Sequence, residues 1–152
     1  MQSTSALRIA KQITTNITSS LALSPDGRYF ATYTRQLSTV SSQWIYRLEY
    51  YSFNNFTKLD SKDVYQSYNT DKHMITFVPA PGNGSLIALS TVNNLIFYTA
   101  APINKVASFL HNQANVYDLA ASPDGSLTVL VGQMIVIYRN NGFTPVVFPQ
   151  VI

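Results

Sequence analysis

Residues 19–34 read SSLALSPDGRYFATYT, and residues 117–132 read YDLAASPDGSLTVLVG. The two stretches share the kernel Leu-Ala-x-Ser-Pro-Asp-Gly, with an apolar run on either side. Pro25 and Pro123 fix φ near about −65°, which suits the second position of a type I turn. Ser24 and Ser122 are placed to cap that turn with a side-chain oxygen. Asp26 and Asp124 favour the third position. Gly27 and Gly125 then supply the positive φ that a bulged hairpin needs. Each kernel is therefore expected to join two antiparallel strands.

A weaker copy lies between them. Residues 75–91 read ITFVPAPGNGSLIALST. Here Pro81, Gly82, Asn83 and Gly84 fill the turn with one extra residue. The final glycines fall at Gly27, Gly84 and Gly125. A second strand follows each turn: RYFATYTR, SLIALST and SLTVLVG. After a polar break a third strand is expected over 43–53, 95–100 and 134–140. A fourth, less regular strand is expected over 57–68, 106–111 and 143–151. No window carries a 3.6-residue apolar period over eleven residues. The best helical candidate, Ser5 to Ile13, is read as strand or coil.

Composition agrees with an all-β chain. Of 152 residues only 11% are charged, while 46% are apolar and 12% aromatic. A long surface helix needs more Lys and Glu than this, and a disordered tail needs more charge. Tyr, Phe, Ser, Thr and Asn favour strands and turns.

Four-stranded units at this period, each opened by such a turn, resemble the blades of a β-propeller. The segments LALSPDGRYFAT and VYDLAASPDGSLTVLVG are similar to the first hairpin of a WD40-type blade. The resemblance implies a divergent, partial propeller with blades at approximately 17–72, 73–115 and 116–152. Residues 1–16 would be an extension or a donated strand. Two family marks are missing. No Gly-His pair precedes a unit. Phe53-Asn54, Thr99-Ala100 and Tyr138-Arg139 stand where a third strand would end in Trp-Asp. The hydrogen-bonded network of regular WD40 blades is accordingly not expected.

Three blades cannot close a ring, because a propeller has about 4–8. Three arrangements answer this. The chain is a piece of a longer propeller, or two copies form a six-bladed homo-oligomer, or the units form a closed sandwich or barrel. The first two require partners, since open apolar end faces invite association.

The chemistry of common enzymes is hard to place. There is no cysteine, which removes thiol catalysis, disulfides and thiolate metal sites. His73 and His111 lie outside metal-ligand spacing and are read as solvated loop residues. Asp60 and Asp63 fall on an irregular edge strand. No P-loop or nucleophile elbow occurs. No catalytic, cofactor-binding or metal-ligating residue is nominated. The Asn-x-Ser/Thr triplets at Asn16, Asn55 and Asn83 are read as chance. Without a signal-peptide core or an apolar run of about 18 residues, an intracellular location, cytoplasmic or nuclear, is expected.

The segment Trp44 to Tyr51 stands out. Alternation puts Trp44, Tyr46, Leu48 and Tyr50 on one face, and Ile45, Arg47, Glu49 and Tyr51 on the other. One reading is a long third strand with a core face and paired charges outside. The other is a partner-binding surface of Trp44, Tyr46, Arg47, Tyr50 and Tyr51, since such residues dominate interface hot spots. The resemblance implies a non-catalytic protein–protein scaffold in a larger complex, with contacts from rim loops at 36–43, 69–73, 92–95, 112–117 and 132–134. An RNA- or DNA-associated propeller is the alternative, and it predicts Arg28, Arg35, Arg47 and Lys72 on one surface. A propeller-type hydrolase ranks below both.

Overall fold

The computed structural model describes residues 12, 16–80, 84–140 and 150–151. Twelve strands and no helix occur among them. Sheet 1 is β1 (Ile17–Leu23), β2 (Tyr29–Leu37), β3 (Trp44–Ser52) and β4 (Lys58–Ser67). Sheet 2 is β5 (Met74–Ala80), β6 (Gly84–Ser90), β7 (Asn94–Tyr98) and β8 (Lys105–Leu110). Sheet 3 is β9 (Asp118–Ala121), β10 (Leu127–Val131), β11 (Ile135–Arg139) and β12 (Gln150–Val151). Each is an antiparallel meander in chain order.

The three sheets remain separate, so the closed sandwich or barrel is not formed. The first strands β1, β5 and β9 lie against one another. They make the inner edge of an arc, with β4, β8 and β12 at the outer edge. This is a partial β-propeller of three blades. The expectations for residues 1–16, for the turn at 81–83 and for most of the last strand, 143–149, fall largely outside the described residues.

Sheet 2 is covered on both sides, and its sequence shows why. One face sets Ile87, Leu89 and Tyr98 against Tyr33, Leu48 and Tyr50 of sheet 1. The other sets Leu86, Ala88, Leu95 and Phe97 against Leu119, Leu130 and Tyr138 of sheet 3. A strand buried on both faces reads as an almost continuous apolar run, as SLIALS and LIFY do. Sheets 1 and 3 each bury one face in these cores.

Polar bonds tie the sheet edges. At the inner edge the Ile75 amide donates to Ser20 Oγ at 3.1 Å. At the outer edge the Ile103 amide donates to Asp60 Oδ2 at 2.7 Å, and Lys62 Nζ donates to the Ile103 carbonyl at 3.2 Å. Asp60 is thereby a clamp between sheets 1 and 2, whereas Asp63 pairs with Arg47 on the opposite face of sheet 1.

The repeated turns are near copies. In the first, the Tyr29 amide donates to Ser24 Oγ at 2.9 Å, and Ser24 Oγ donates to Asp26 Oδ1 at 2.7 Å. In the second, the Leu127 amide donates to Ser122 Oγ at 2.9 Å, and Ser122 Oγ donates to Asp124 Oδ1 at 2.7 Å. The Asp carboxylate also accepts the amide of Arg28 or of Ser126. The Ser126 amide, with the Ser122 and Ser126 hydroxyls, holds the Asp124 carboxyl down to about 2. Pro25 and Pro123 sit inside the turns, and Gly27 and Gly125 have φ of 71° and 74°.

The two glycines differ in surroundings. A Cβ on Gly125 would collide with the Pro79 carbonyl oxygen of sheet 2, while a Cβ on Gly27 would meet nothing within 4 Å. Gly27→Ala should therefore cost only the left-handed backbone penalty, about 1–2 kcal/mol. Gly125→Ala adds a backbone collision between sheets and should cost more than about 3 kcal/mol. Urea unfolding of the two variants checks this; equal losses would contradict the close approach of turn and sheet.

Candidate interaction surface

Strand β3 keeps the predicted alternation, and burial then sorts the five nominated residues. Tyr46 and Tyr50 point into the core between sheets 1 and 2. Tyr46 lies 5.3 Å from the Tyr33 ring and 4.9 Å from the His73 ring. Tyr50 stacks on Tyr29 at 5.2 Å, and burial pushes its hydroxyl up to about 12. Tyr51 lies on the opposite face but is also buried, stacked on Phe30 at 4.8 Å. These three rings are occupied inside the chain. Trp44 and Arg47 remain partly exposed: Trp44 under the Arg35 guanidinium at 5.0 Å, Arg47 bonded to Asp63 Oδ1 at 2.7 Å.

Glu49 is buried beside Tyr51. Its carboxylate accepts from Tyr51 Oη at 2.9 Å and from Thr34 Oγ1 at 3.3 Å, and pairs with Lys58 Nζ at 2.5 Å. Burial raises its pKa, but the bonds from Lys58, Tyr51 and Thr34 outweigh that and hold it below the ordinary value. Glu49 is accordingly ionised at neutral pH. This polar knot occupies the outward face of sheet 1.

Both histidines are buried, at 1% exposure for His73 and 4% for His111, which corrects their reading as solvated loop residues. The reason is non-local. The crossover from β4 to β5 drops His73 among Tyr33, Tyr46 and Tyr65, where Tyr33 Oη and His73 Nδ1 share a 3.0 Å hydrogen bond. His111 Nε2 bonds the Thr91 carbonyl at 2.9 Å, and its Nδ1 accepts the Gln113 amide at 3.1 Å. Gln113 then accepts the Met134 amide on Oε1 at 2.9 Å and the Asn93 amide on its carbonyl at 3.0 Å. Three of the predicted rim loops, 92–95, 112–117 and 132–134, thus meet around one buried glutamine. Sequence inspection had no pattern with which to find it.

The four basic residues do not share a surface. Arg28 and Arg35 stand at opposite ends of β2, about 20 Å apart for seven residues of strand. Arg35 lies over Trp44 at the core side of sheet 1, while Arg47 lies on its other face. Lys72 sits over Tyr117 at the junction with sheet 3.

Two sheet faces are left at the ends of the arc. The outward face of sheet 1 combines Leu21 and Leu23, 58% and 59% exposed, with the charges of Arg47, Asp63, Glu49 and Lys58. The outward face of sheet 3 is aliphatic at its centre, with the exposed Asp118 opposite Val131 and Arg139 opposite Leu127 at its margins. Val129 stands between Ala120 and Ile137, and Val131 faces Ile135, which is 69% exposed. A cleft of about 500 Å³ is lined by Gly27, Arg28, Tyr29, Ser52, Phe53 and Asn54, without a carboxylate or histidine. Among the described residues no three His, Asp or Glu side chains gather as a metal site, and no helix is long and apolar enough to cross a membrane.

No protein-family model and no curated protein matches the chain. Among solved structures, a functionally unknown protein from Desulfotomaculum acetoxidans aligns with 95% of this chain at a TM-score of 0.62 and 16% identity. Sqt1 from Chaetomium thermophilum aligns with 82% of it at a TM-score of 0.46 and 15% identity. This chain spans 44% of the length of each. At such identity the first likeness speaks for the fold alone.

Burial of His73 gives the inter-sheet core a pH signature. Desolvation, with the charge of Arg35, lowers its pKa from 6.5 to about 4. The unfolded chain takes up this proton first, so stability is full above about pH 6.5 and falls as the pH drops toward 4. The loss approaches about 3 kcal/mol at pH 4. Burial lowers the pKa of His111 too, which adds slope in the same direction. Urea midpoints from pH 7 to 4 should fall in the wild type and fall distinctly less in His73→Phe. Parallel curves would mean that His73 is hydrated.

Proposed function

We propose that this chain is part of a WD40-like β-propeller and acts as a non-catalytic protein–protein interaction scaffold within a larger complex, in the cytoplasm or nucleus. The observation that carries the reading is the apolar centre of the outward face of sheet 3, where Ala120, Val129, Val131, Ile135 and Ile137 lie between Asp118 and Arg139. A soluble chain seldom leaves a contiguous apolar sheet face without a partner. The unclosed arc of three sheets supports the same conclusion, because each internal sheet face is buried against a neighbour. The partners are other protein subunits or the remaining blades of a longer propeller.

Five of the seven carboxylates have roles that support a non-catalytic reading. Asp26 and Asp124 brace turns, Asp60 clamps two sheets, and Asp63 and Glu49 are paired with Arg47 and Lys58. Acid–base catalysis needs such a group held in a pocket with its partners left for substrate. The nucleic-acid alternative loses its main support with the scatter of Arg28, Arg35, Arg47 and Lys72 over different surfaces.

The test is dye binding. The wild-type chain should enhance the fluorescence of an apolar-surface dye at neutral pH while its strand circular dichroism stays intact. Ile135→Lys should remove most of that signal without unfolding the chain. A folded monomer that binds no dye would overturn the scaffold reading.

A further inference from the structure

Strand β2 runs further than the core requires. Its residues 30–34 are buried, and 35–37 then pass into solvent before the turn to β3. At about 3.3 Å per residue, roughly 10 Å of hairpin stands beyond the packed layer. The equivalent strand of sheet 2, β6, stays buried from Leu86 to Ser90 and on into Thr91. Sheet 1 therefore ends in a prong, and its side chains are unlike those of a solvated turn. Val40 in the turn is 94% exposed, and Leu37 at the end of β2 is half exposed. Behind them Leu37 pairs with Trp44, and Trp44 with Ser67; Tyr68, 71% exposed, follows Ser67.

Residues 35–44 and 64–70 hold one charged side chain, Arg35. Its guanidinium lies over the Trp44 ring at 5.0 Å and pairs with no carboxylate among the described residues. Asp71, Lys72 and Asp118 stand at the same end of the sheets, outside the prong. The opposite end is built differently, with Asp26, Arg28, Lys58, Lys105 and Asp124 exposed at its turns and strand starts. The turn of the prong also bonds its own backbone. The Ser38 amide donates to the Gln43 carbonyl at 2.8 Å, and the Ser42 amide to the Ser38 carbonyl at 3.1 Å. Ser38 Oγ accepts the amides of Val40 and Ser41 at 3.3 and 3.2 Å. With these four amides bonded inside the turn, it can leave water at little cost.

We propose that this prong is a membrane-contact site that seats in the interfacial layer of a phospholipid bilayer, Val40 leading. The order of its residues selects a bilayer over a protein partner. From the tip inward come Val40, then Leu37, then Trp44 and Tyr68 with the Arg35 cation. A bilayer interface has the same order: hydrocarbon, then the level at which Trp and Tyr concentrate, beside the phosphates. A protein hot spot instead gathers its aromatic anchors at the centre of a well-packed patch. Here the Trp44 ring is already covered by Arg35 on one face, and the side chain that makes first contact is a single valine. Burial of Val40 and Leu37 drives the contact, and Arg35 adds a modest preference for anionic lipid. This contact is separate from the apolar centre of sheet 3, on which the scaffold reading rests.

The chain holds one tryptophan, so Trp44 emission reports on the prong directly. Vesicles of phosphatidylcholine, with and without phosphatidylserine, should pellet the wild-type chain and shift that emission to the blue. Phosphatidylserine should tighten binding by less than about tenfold, as one unpaired cation allows. Val40→Asp should weaken partition at least about tenfold, and Val40→Leu should keep or strengthen it. Circular dichroism should be unchanged in both variants, because the Val40 side chain stands in solvent. Ile135→Lys should bind vesicles as the wild type does. Absence of pelleting and of a blue shift with either vesicle would overturn the proposal. So would binding that Ile135→Lys abolishes and Val40→Asp leaves intact, which would move the contact to sheet 3. Binding that needs phosphatidylserine and ignores Val40→Asp would reduce it to a contact of charge alone and overturn it too. Self-association of the wild type in sedimentation equilibrium, removed by Val40→Asp, would make a second copy the occupant in place of lipid.

Discussion

An antiparallel sheet has two faces, and in this chain both faces of the middle sheet are apolar. That constraint governs the rest. Sheet 2 is stable only between two others, so sheets 1 and 3 must stand on either side of it. Their inward faces are fixed by the need to match Ile87, Leu89 and Tyr98 on one side and Leu86, Leu95 and Phe97 on the other. The alternation of each strand then decides what its outward face carries. With a side-chain period of two, no strand can slip by one residue without turning core residues to water.

The polar contacts between sheets sit where the apolar layer thins. Ser20 receives the Ile75 amide at the inner edge, and Asp60 and Lys62 grip Ile103 at the outer edge. These bonds use backbone groups that strand pairing leaves free at sheet margins, and they fix angle more than they add energy. Gly125 fixes distance. Its turn comes so close to Pro79 that any side chain would part the sheets. Pro79 lies in β5, an edge strand, where a missing amide is tolerated.

What was legible in the sequence was local. Ser-Pro-Asp-Gly dictates its turn through bonds spanning five residues, so both hairpins could be placed from the residues alone. The strands followed from their period, and the unclosed arc from counting units. What was not legible depended on other sheets. His73 and His111 look like loop residues because they are loop residues; the crossovers carry them under neighbouring strands. Tyr46, Tyr50 and Tyr51 have the composition of a binding surface, and composition cannot tell an exposed ring from one stacked on Tyr33, Tyr29 or Phe30. Gln113 shows no pattern at all, since its partners arrive from three separate loops. The WD40-like resemblance located the hairpins and said nothing of these contacts.

The tyrosines of the third strands show how the ends of the arc differ. Tyr51, Tyr98 and Tyr138 occupy one equivalent position, each on the rear face of its sheet. Tyr138 donates its hydroxyl to the Leu110 carbonyl of the sheet behind it, at 3.0 Å. Tyr51 has no sheet behind it among the described residues, and its hydroxyl turns instead to Glu49 in its own strand. The carboxylate does for Tyr51 what a neighbouring backbone does for Tyr138: it satisfies a buried hydroxyl. Lys58 in turn neutralises the carboxylate and leaves its own ammonium half in water. Around Glu49 the rear of sheet 1 therefore carries a self-contained polar arrangement, beside the exposed Leu21 and Leu23. On the forward side of sheet 3, Val129, Val131, Ile135 and Ile137 lie between Asp118, opposite Val131, and Arg139, opposite Leu127.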